Sequence, residues 1–483
     1  MNGIRTITTL SALGCAAVAS AQERPNVLLI ITDQQRWDMV SALHESEYVS
    51  TPNIDRLARR GCCFDNTYCA NPISVPSRWS MFTGESTAVF GIQDNTAPLS
   101  RKEELIEVGR TRSLGALFRQ VGYRNYYIGK SHLPFGEGRS PGGDKATNWQ
   151  FDHITKDDRL GAVEAGEAFF RDYRPDGQPF LLVVSFINPH DIGADKMIIA
   201  DNPRPEQNPQ SAKPAGINAL TYLPKIRELG NDYFLGDASG RLPFNFEPTD
   251  NHPQNLIFQK TYGSYSELMW KKYIWFYHRL VEQVDAEIGR VLDAFENSPY
   301  AANTIVIFTS DHGDMMASHR LAKKNIMYNE CQRVPLIFAG PGVKPRIDRT
   351  TPVCNGWDLV PTLCDIAGAP IPGQLQGVSL WDYACGRDRA PGRKYLYLEG
   401  SNAFEIIQEG RWAYILYEIP GNPAVLFDLE TDPGQMHNLA SDPDYAEKVR
   451  ELRQILDSEL KKRGLTLSDN RPYSISGLVK TKK

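Results

Sequence analysis

Apolar and polar positions follow two periods along most of this chain. Asn26–Thr32 is an unbroken apolar run ending at Asp33, which predicts a strand buried on both faces of a parallel sheet. Thr51-Pro52-Asn53 then opens a helical pattern through Leu57 and Ala58, with Pro52 early and Gly61 as its stop. Ser113–Gln120 is helical in period, and Tyr123–Ile128 is a strand running into Gly129-Lys130. Phe180–Ile187 is a further β-rich apolar run, closing at Asn188-Pro189-His190-Asp191. A long amphipathic pattern covers about Tyr265 to Phe295, and the strand-like Thr304–Thr309 ends in Ser310-Asp311-His312-Gly313. Polar, chemically capable residues thus recur at the carboxyl ends of apolar strands. In open α/β sheets that edge is where ligands bind, so these strand ends are expected to share one site.

Between about Asp201 and Pro253 the chain is rich in Pro, Asn, Asp and Gly and shows little periodicity, which reads as a long surface insertion able to wall a pocket. After about Arg389 the style changes. Lys394–Leu398, Phe404–Gln408, Trp412–Tyr417 and Ala424–Phe427 are short runs separated by turns, followed by a charged helix from about Tyr445 to Lys461. The tail beyond Asp469 reads as loosely ordered. The expected fold is α/β: a large N-terminal domain with a central, mostly parallel mixed sheet flanked by helices, and a smaller C-terminal domain with a short antiparallel sheet and a helix. A length of 483 residues agrees with two domains, since one core rarely grows that large. The boundaries are placed at 22–388 and 389–483.

Residues 1–21 read as an export signal: Arg5 supplies the positive end, Ile7 to Val18 the apolar run, and Ala19-Ser20-Ala21 a small-residue cleavage site before Gln22. The run is too short to span a bilayer, so no membrane span is expected, and the mature chain is placed in the periplasm or outside the cell. A buried helix, or lipid attachment at Cys15 in the poorly spaced Leu13-Gly14-Cys15, are the alternatives. Cleavage leaves Cys62, Cys63, Cys69, Cys331, Cys354, Cys364 and Cys385, an odd number without Cys-x-x-Cys spacing. Buried free thiols are expected, with one pair possible in an oxidising compartment, and neither a zinc site nor a disulfide scaffold. A formal net charge of -5 predicts no general attraction to nucleic acid or anionic membrane. Oligomeric state is not legible.

Ser74-Val75-Pro76-Ser77-Arg78, followed by Thr83-Gly84, is the most informative segment. Pro76 suits the first turn of a helix, which leaves Ser74 at its N-terminus, where N–H groups and the dipole favour negative charge. Arg78, one turn on, can face the same point. By itself such a segment is more often a helix cap beside a solvated arginine. Its company decides otherwise. The pattern resembles the sulfatase signature, a Cys or Ser, any residue, then Pro-Ser-Arg, with Thr-Gly five positions later; Phe82 stands where Leu is more frequent. Asn26–Asp33, Thr51–Asp55, Gly129-Lys130-Ser131-His132, Asn188-Pro189-His190, Ser310–Gly313, Lys324 and Leu426–Pro433 also resemble sulfatase landmarks, in the expected order.

The resemblance implies an alkaline-phosphatase-like fold and hydrolysis of sulfate esters. It implies that Ser74 is oxidised to 3-oxoalanine (Cα-formylglycine), in the manner of serine-type bacterial members served by a radical-type maturation enzyme. Asp33, Gln34, Asp311 and His312 match the metal positions, with the altered Ser74 as a further ligand. Oxygen-rich ligation favours Ca2+, although Gln34 in place of a frequent Asp and His312 in place of a frequent Asn weaken that choice. Lys130 and Lys324 match the lysines that hold the sulfate, Lys323 being the neighbour open to confusion. Arg78 would steady the metal site and the hydrated aldehyde, His132 would take a proton from that hydrate, and His190 would protonate the leaving oxygen. A hydrated aldehyde offers a second hydroxyl whose deprotonation expels sulfate, which plain serine lacks.

The substrate expected is a sulfated carbohydrate, a glycosaminoglycan or algal polysaccharide fragment, with Trp149, His153, Asp191 and His319 as candidate pocket residues. The alternatives are an arylsulfatase on small aromatic esters, a phosphate or phosphonate monoester hydrolase of the same superfamily, and a non-catalytic binder of sulfated glycans. A phosphatase with two zinc ions would need a second ligand cluster, and nine histidines leave no place for one.

Overall fold

A computed structural model describes residues 24–135, 148–174, 177–194, 199, 219–247, 262–387, 391–418 and 424–465. The export signal, much of the insertion between 201 and 261, and the tail from 466 lie outside the described residues. No described helix is long and apolar enough to cross a membrane.

The central sheet is built around β1 (Asn26–Asp33), which pairs in parallel with β6 (Phe180–Pro189) on one side and β7 (Thr304–Ser310) on the other. β4 (Arg124–Gly129) and β5 (Asp152–Thr155) extend the parallel half beyond β6. Beyond β7 lie β8 (Leu336–Ala339), antiparallel to it, then β2 (Cys62–Phe64) and β9 (Arg346–Asp348), in the order β5-β4-β6-β1-β7-β8-β2-β9. A two-stranded ladder of β3 (Thr67–Tyr68) and β10 (Val353–Cys354) stands apart.

The unbroken apolar run of β1 is explained by helices on both faces. Val27, Leu29 and Ile31 enter one core with Trp79, Phe82, Leu117, Phe118 and Leu363, from the helices Ser74–Thr83, Leu114–Gln120 and Asn355–Ala367. Leu28 and Ile30 point the other way, into a core with Leu57, Val163, Phe170, Ile288 and Leu292, from the helices Pro52–Arg60, Leu160–Asp172 and Glu267–Glu296. Alternate side chains of a strand face opposite sides, so only a wholly apolar strand satisfies two such cores.

β11 (Tyr395–Gly400), β12 (Ala403–Gln408), β13 (Trp412–Tyr417) and β14 (Val425–Asp428) form an antiparallel sheet in chain order, covered by the helix Ala446–Lys462 through Leu452, Leu456 and Leu460. The four-residue spacing of those leucines makes one apolar stripe. The same core includes Met315, Leu321, Met327 and Tyr328, so this sheet backs the loop that follows β7.

The insertion differs from expectation. Ala219–Leu235 is helical, interrupted at Gly230 (φ 73°), with Pro224 inside. Ile226 and Phe234 pack with Trp270, Ile274 and Tyr277 of the long Glu267–Glu296 helix. Pro and Gly punctuate the segment and hide its period, but enough apolar residues remain to dock it. The seven cysteines from Cys62 to Cys385 are free thiols and all buried.

Candidate active site

The carboxyl ends of β1, β4, β6 and β7 deliver Asp33, Lys130, His190 and Asp311-His312 to one edge of the sheet. The helix Ser74–Thr83 starts at the same place, with Ser74 as its first residue and every residue buried. Its first turn is anchored where Asn95 Oδ1 accepts from Val75 N (3.1 Å) and where the Ser77 hydroxyl donates to the Asp311 carbonyl.

Arg78 is the hub. Its Nε donates to Asp311 Oδ2 (2.8 Å) and its Nη2 to Asp33 Oδ2 (3.2 Å), while Nη1 donates to the Lys130 carbonyl and to Ser185 Oγ (both 2.9 Å). One guanidinium thus joins the ends of β1, β4 and β7 to the body of β6. Arg78, Asp33 and Asp311 are 0 % exposed, so their charges are compensated by one another and not by water.

Ser74 Oγ lies 3.1 Å from His312 Nε2 and accepts from Lys324 Nζ at 3.0 Å; Lys324 Nζ is also 3.0 Å from His312 Nε2. Lys130 Nζ donates to Asp33 Oδ2 (2.5 Å), and Lys324 Nζ stands 3.8 Å from Asp33 Oδ1. His190 Nε2 is 4.0 Å from that same oxygen. His132 is partly buried, at φ 46°, and its Nδ1 has no hydrogen-bond partner among the described residues. Burial and the Lys130 charge push its imidazole down to about 2.

Asp33, Asp311 and His312 offer ligand atoms that all lie within 4.8 Å of one another. Several features fit this trio to a divalent cation. Among the described residues, Asp33 Oδ1 is buried without a hydrogen-bond partner. His312 Nδ1 lies 2.9 Å from the Gly313 carbonyl, which fixes that nitrogen as the donor and leaves the Nε2 lone pair aimed into the site. Burial and Lys324 hold the imidazole well below its usual range, in the neutral form a ligand requires. Burial opposes ionisation of Asp33, but Lys130, Lys324, His190 and Arg78 outweigh it and hold the carboxyl well below the carboxylate range. Burial and the Asp33 charge push Asp311 upward against the pull of Arg78. A cation between two such carboxylates removes that conflict.

Gln34 also reaches this edge. Its backbone N donates to Asp311 Oδ1 (3.0 Å), its carbonyl accepts from Tyr277 Oη (2.6 Å), and its Nε2 donates to Asp314 Oδ2 (2.5 Å). Lys323 points away from the serine, donating to the Ile192 carbonyl at 2.6 Å. It ties the Lys324 loop to the turn after His190, and Lys324 is therefore the lysine at Ser74.

The expected pocket residues fare less well. Trp149 belongs to the core, edge-on to Trp79 at 5.8 Å with its Nε1 donating to the Pro134 carbonyl. His319 is likewise buried, stacked on Tyr328 at 4.3 Å. His153 stacks on Tyr127 at 5.0 Å. Asp191 is engaged by the Arg159 guanidinium, Nη2 to Oδ1 2.7 Å and Nε to Oδ2 3.2 Å. Burial of aromatic surface outweighed display of the rings. Residues that went unread include Ser185, whose signal is a hydroxyl within an apolar strand, and Asp314, an acidic residue two positions beyond His312. A cavity of about 750 Å³ between Gly84, Trp357, Lys394 and Arg463 lies elsewhere. Its Arg393 is held by Asp358, and its Lys462 and Arg463 by Glu459.

Residues 25–369 match the family model described as Sulfatase, and residues 317–462 match one described as N-sulphoglucosamine sulphohydrolase, C-terminal. The chain is 30% identical over 470 residues to a Delta 4,5-hexuronate-2-O-sulfatase of Bacteroides thetaiotaomicron, covering 92% of this chain and 90% of that one. It is 26% identical over 522 residues to an N-acetylglucosamine-6-O-sulfatase of the same species, covering 94% and 90%. Among solved structures, a 2-O GAG sulfatase superposes with a TM-score of 0.73 at 26% identity, over 93% of this chain and 95% of the other. Sequence, fold and the buried Asp-Asp-His cluster beside Ser74 agree: this chain belongs to the sulfatase family and is a sulfuric ester hydrolase.

Proposed function

We propose that this sulfatase removes sulfate from glycosaminoglycan fragments, with Ser74 converted to formylglycine by a radical-type maturation enzyme. The observation that carries the substrate class is the 30% identity, over nearly the whole chain, to a sulfatase named for a hexuronate 2-O-sulfate. Charge agrees with it. Lys130, Lys324 and Arg78 outnumber Asp33 and Asp311 around Ser74, so the site is net positive before any cation binds.

The residue roles follow. Asp33, Gln34, Asp311 and His312 would hold one divalent cation, with Ca2+ as the reading, together with the converted Ser74. When bound, the cation would lower the pKa of a coordinated hydroxyl and draw charge from the sulfuryl oxygens. Lys324, 3.0 Å from Ser74 Oγ, and Lys130, on the far side of Asp33, bracket the position of an ester oxygen cluster and neutralise it. Arg78 holds both carboxylates and the Lys130 backbone in register, so nucleophile and cation keep a fixed separation. His190, whose side chain is 38% exposed with Nε2 4.0 Å from Asp33 Oδ1, would protonate the departing sugar oxygen. His132, whose Nδ1 has no hydrogen-bond partner among the described residues, would take the proton whose loss releases sulfate.

Sulfate release is measured from a panel of defined glycosaminoglycan oligosaccharides, an aryl sulfate and a phosphonate monoester, using protein made with a maturation enzyme. Faster turnover of the oligosaccharides is expected, and Ser74→Ala is expected to abolish it. Faster turnover of the aryl or phosphonate ester would overturn the substrate reading, and full activity of Ser74→Ala would overturn the mechanism. Mass spectrometry of the Ser74 peptide reports conversion directly. We also read residues 1–21 as an export signal, which predicts a mature chain beginning at Gln22 in the periplasm or medium.

A further inference from the structure

A carboxamide has two ends, and only its oxygen can hold a cation. At Gln34 the choice between them is made from behind. Gln34 Nε2 lies 2.5 Å from Asp314 Oδ2, and an amide turned the other way would set two oxygens against each other at that distance. Asp314 is itself fixed, 0 % exposed, accepting from Tyr273 Oη at 3.0 Å on both oxygens and from Met316 N at 2.7 Å. With its backbone N on Asp311 Oδ1 (3.0 Å) and its Nε2 on Asp314, Gln34 has one side-chain atom left for the cluster of Asp33, Asp311 and His312. That atom is Oε1.

We propose that Asp314 is a positioning residue for the metal site, acting through the Gln34 amide. It turns Oε1 toward the cation and draws electron density onto it, because an amide whose N–H groups bind a carboxylate is a more basic oxygen donor. The inference rests on the reading of Gln34 as a ligand.

The test is titration calorimetry of Ca2+, and of Mg2+ and Mn2+, into the chelator-treated full chain, which needs neither conversion of Ser74 nor turnover. Asp314→Asn is expected to weaken binding about 10–100-fold, the usual cost of losing an outer partner of a metal ligand. Its metal-free melting temperature should stay close to that of the parent. In a Gln34→Ala background Asp314→Asn should cost nothing further, since its only route to the cation is gone. The exchange Gln34→Glu/Asp314→Asn keeps the hydrogen bond and moves the carboxylate inward, so it should restore binding even if either single variant folds poorly. Parent-like affinity in Asp314→Asn, losses that multiply in the double variant with Gln34→Ala, or an exchange no better than its single changes would each overturn the proposal alone. A parent chain that binds none of the three ions overturns the ligand assignment as well.

Discussion

At Arg78 a single side chain does what four separate contacts would otherwise have to do. Its guanidinium reaches Asp33, Asp311, Ser185 and the Lys130 carbonyl from one rigid plane. An ammonium is a point donor on a flexible stem and cannot copy that fork. Arg78→Lys keeps the charge but leaves buried acceptors unsatisfied, so a loss of about 1–3 kcal/mol is expected in denaturant unfolding. Sulfate release should fall by at least about a hundredfold, because misplacement by an ångström costs about that much. Equal stability and turnover in the variant would show that the hub is dispensable. Of these contacts the sequence foreshadowed the Arg78 direction and the two aspartates, since helical spacing and strand ends are local signals. For Ser185 the sequence offers only a hydroxyl within an apolar strand; its partner follows from β4 and β6 lying side by side, which no local pattern records.

The elements were legible in proportion to how fully they are buried. β1, β6 and β7 pack on both faces and read as continuous apolar runs, so their positions follow from composition. β2, β3, β9 and β10 have two or three residues each and give no period to count. The helix Ala219–Leu235 was missed because Pro224 and Gly230 break the pattern that its tertiary contacts restore. The helix Ser74–Thr83 owes its setting to Gly356, in the neighbouring helix Asn355–Ala367. A Cβ there would meet Ala70 Cβ at 2.4 Å and Ser80 Cβ at 3.0 Å. In an exposed helix, glycine to alanine gains about 1 kcal/mol. Here the overlap wins, and Gly356→Ala is expected to destabilise by about 1–3 kcal/mol. The helix would be pushed off its partner, so Ser74 should lose turnover along with stability. A gain in melting temperature would show that the two helices separate without cost.

Across the whole molecule, the C-terminal sheet and the catalytic loop share a core, and one buried acid sits in their contact. Glu405, in the middle of β12, accepts from the Gln332 amide, and burial pushes its carboxyl up to about 8 while that amide pulls the other way. The folded value stands above the unfolded 4.5, so the folded chain binds the extra proton. Its contribution to stability is complete below pH 4.5 and is lost as the pH climbs toward 8. Glu405→Gln should therefore gain in melting temperature relative to the parent as the pH rises through that window; a constant difference would refute the assignment. The cluster of Asp33, Asp311 and His312 also spans elements, joining the ends of β1 and β7 beside the Ser74 helix. Saturating cation at about a hundred times its dissociation constant should add about 2.7 kcal/mol to unfolding, and chelation should remove it together with hydrolysis.

The burial of Ser74 bears on when its chemistry is installed. The side chain is 0 % exposed and is wedged between Lys324 and His312 at the start of a helix buried along its whole length. A maturation enzyme must draw the hydroxymethyl group into its own catalytic centre, which a closed chain forbids. Oxidation as proposed above therefore belongs to the interval before the sheet and its covering helices assemble, and chain collapse sets a deadline for it. On that proposal enzyme and folding would compete for the same segment, and the fraction of competent molecules would be set before the chain closes.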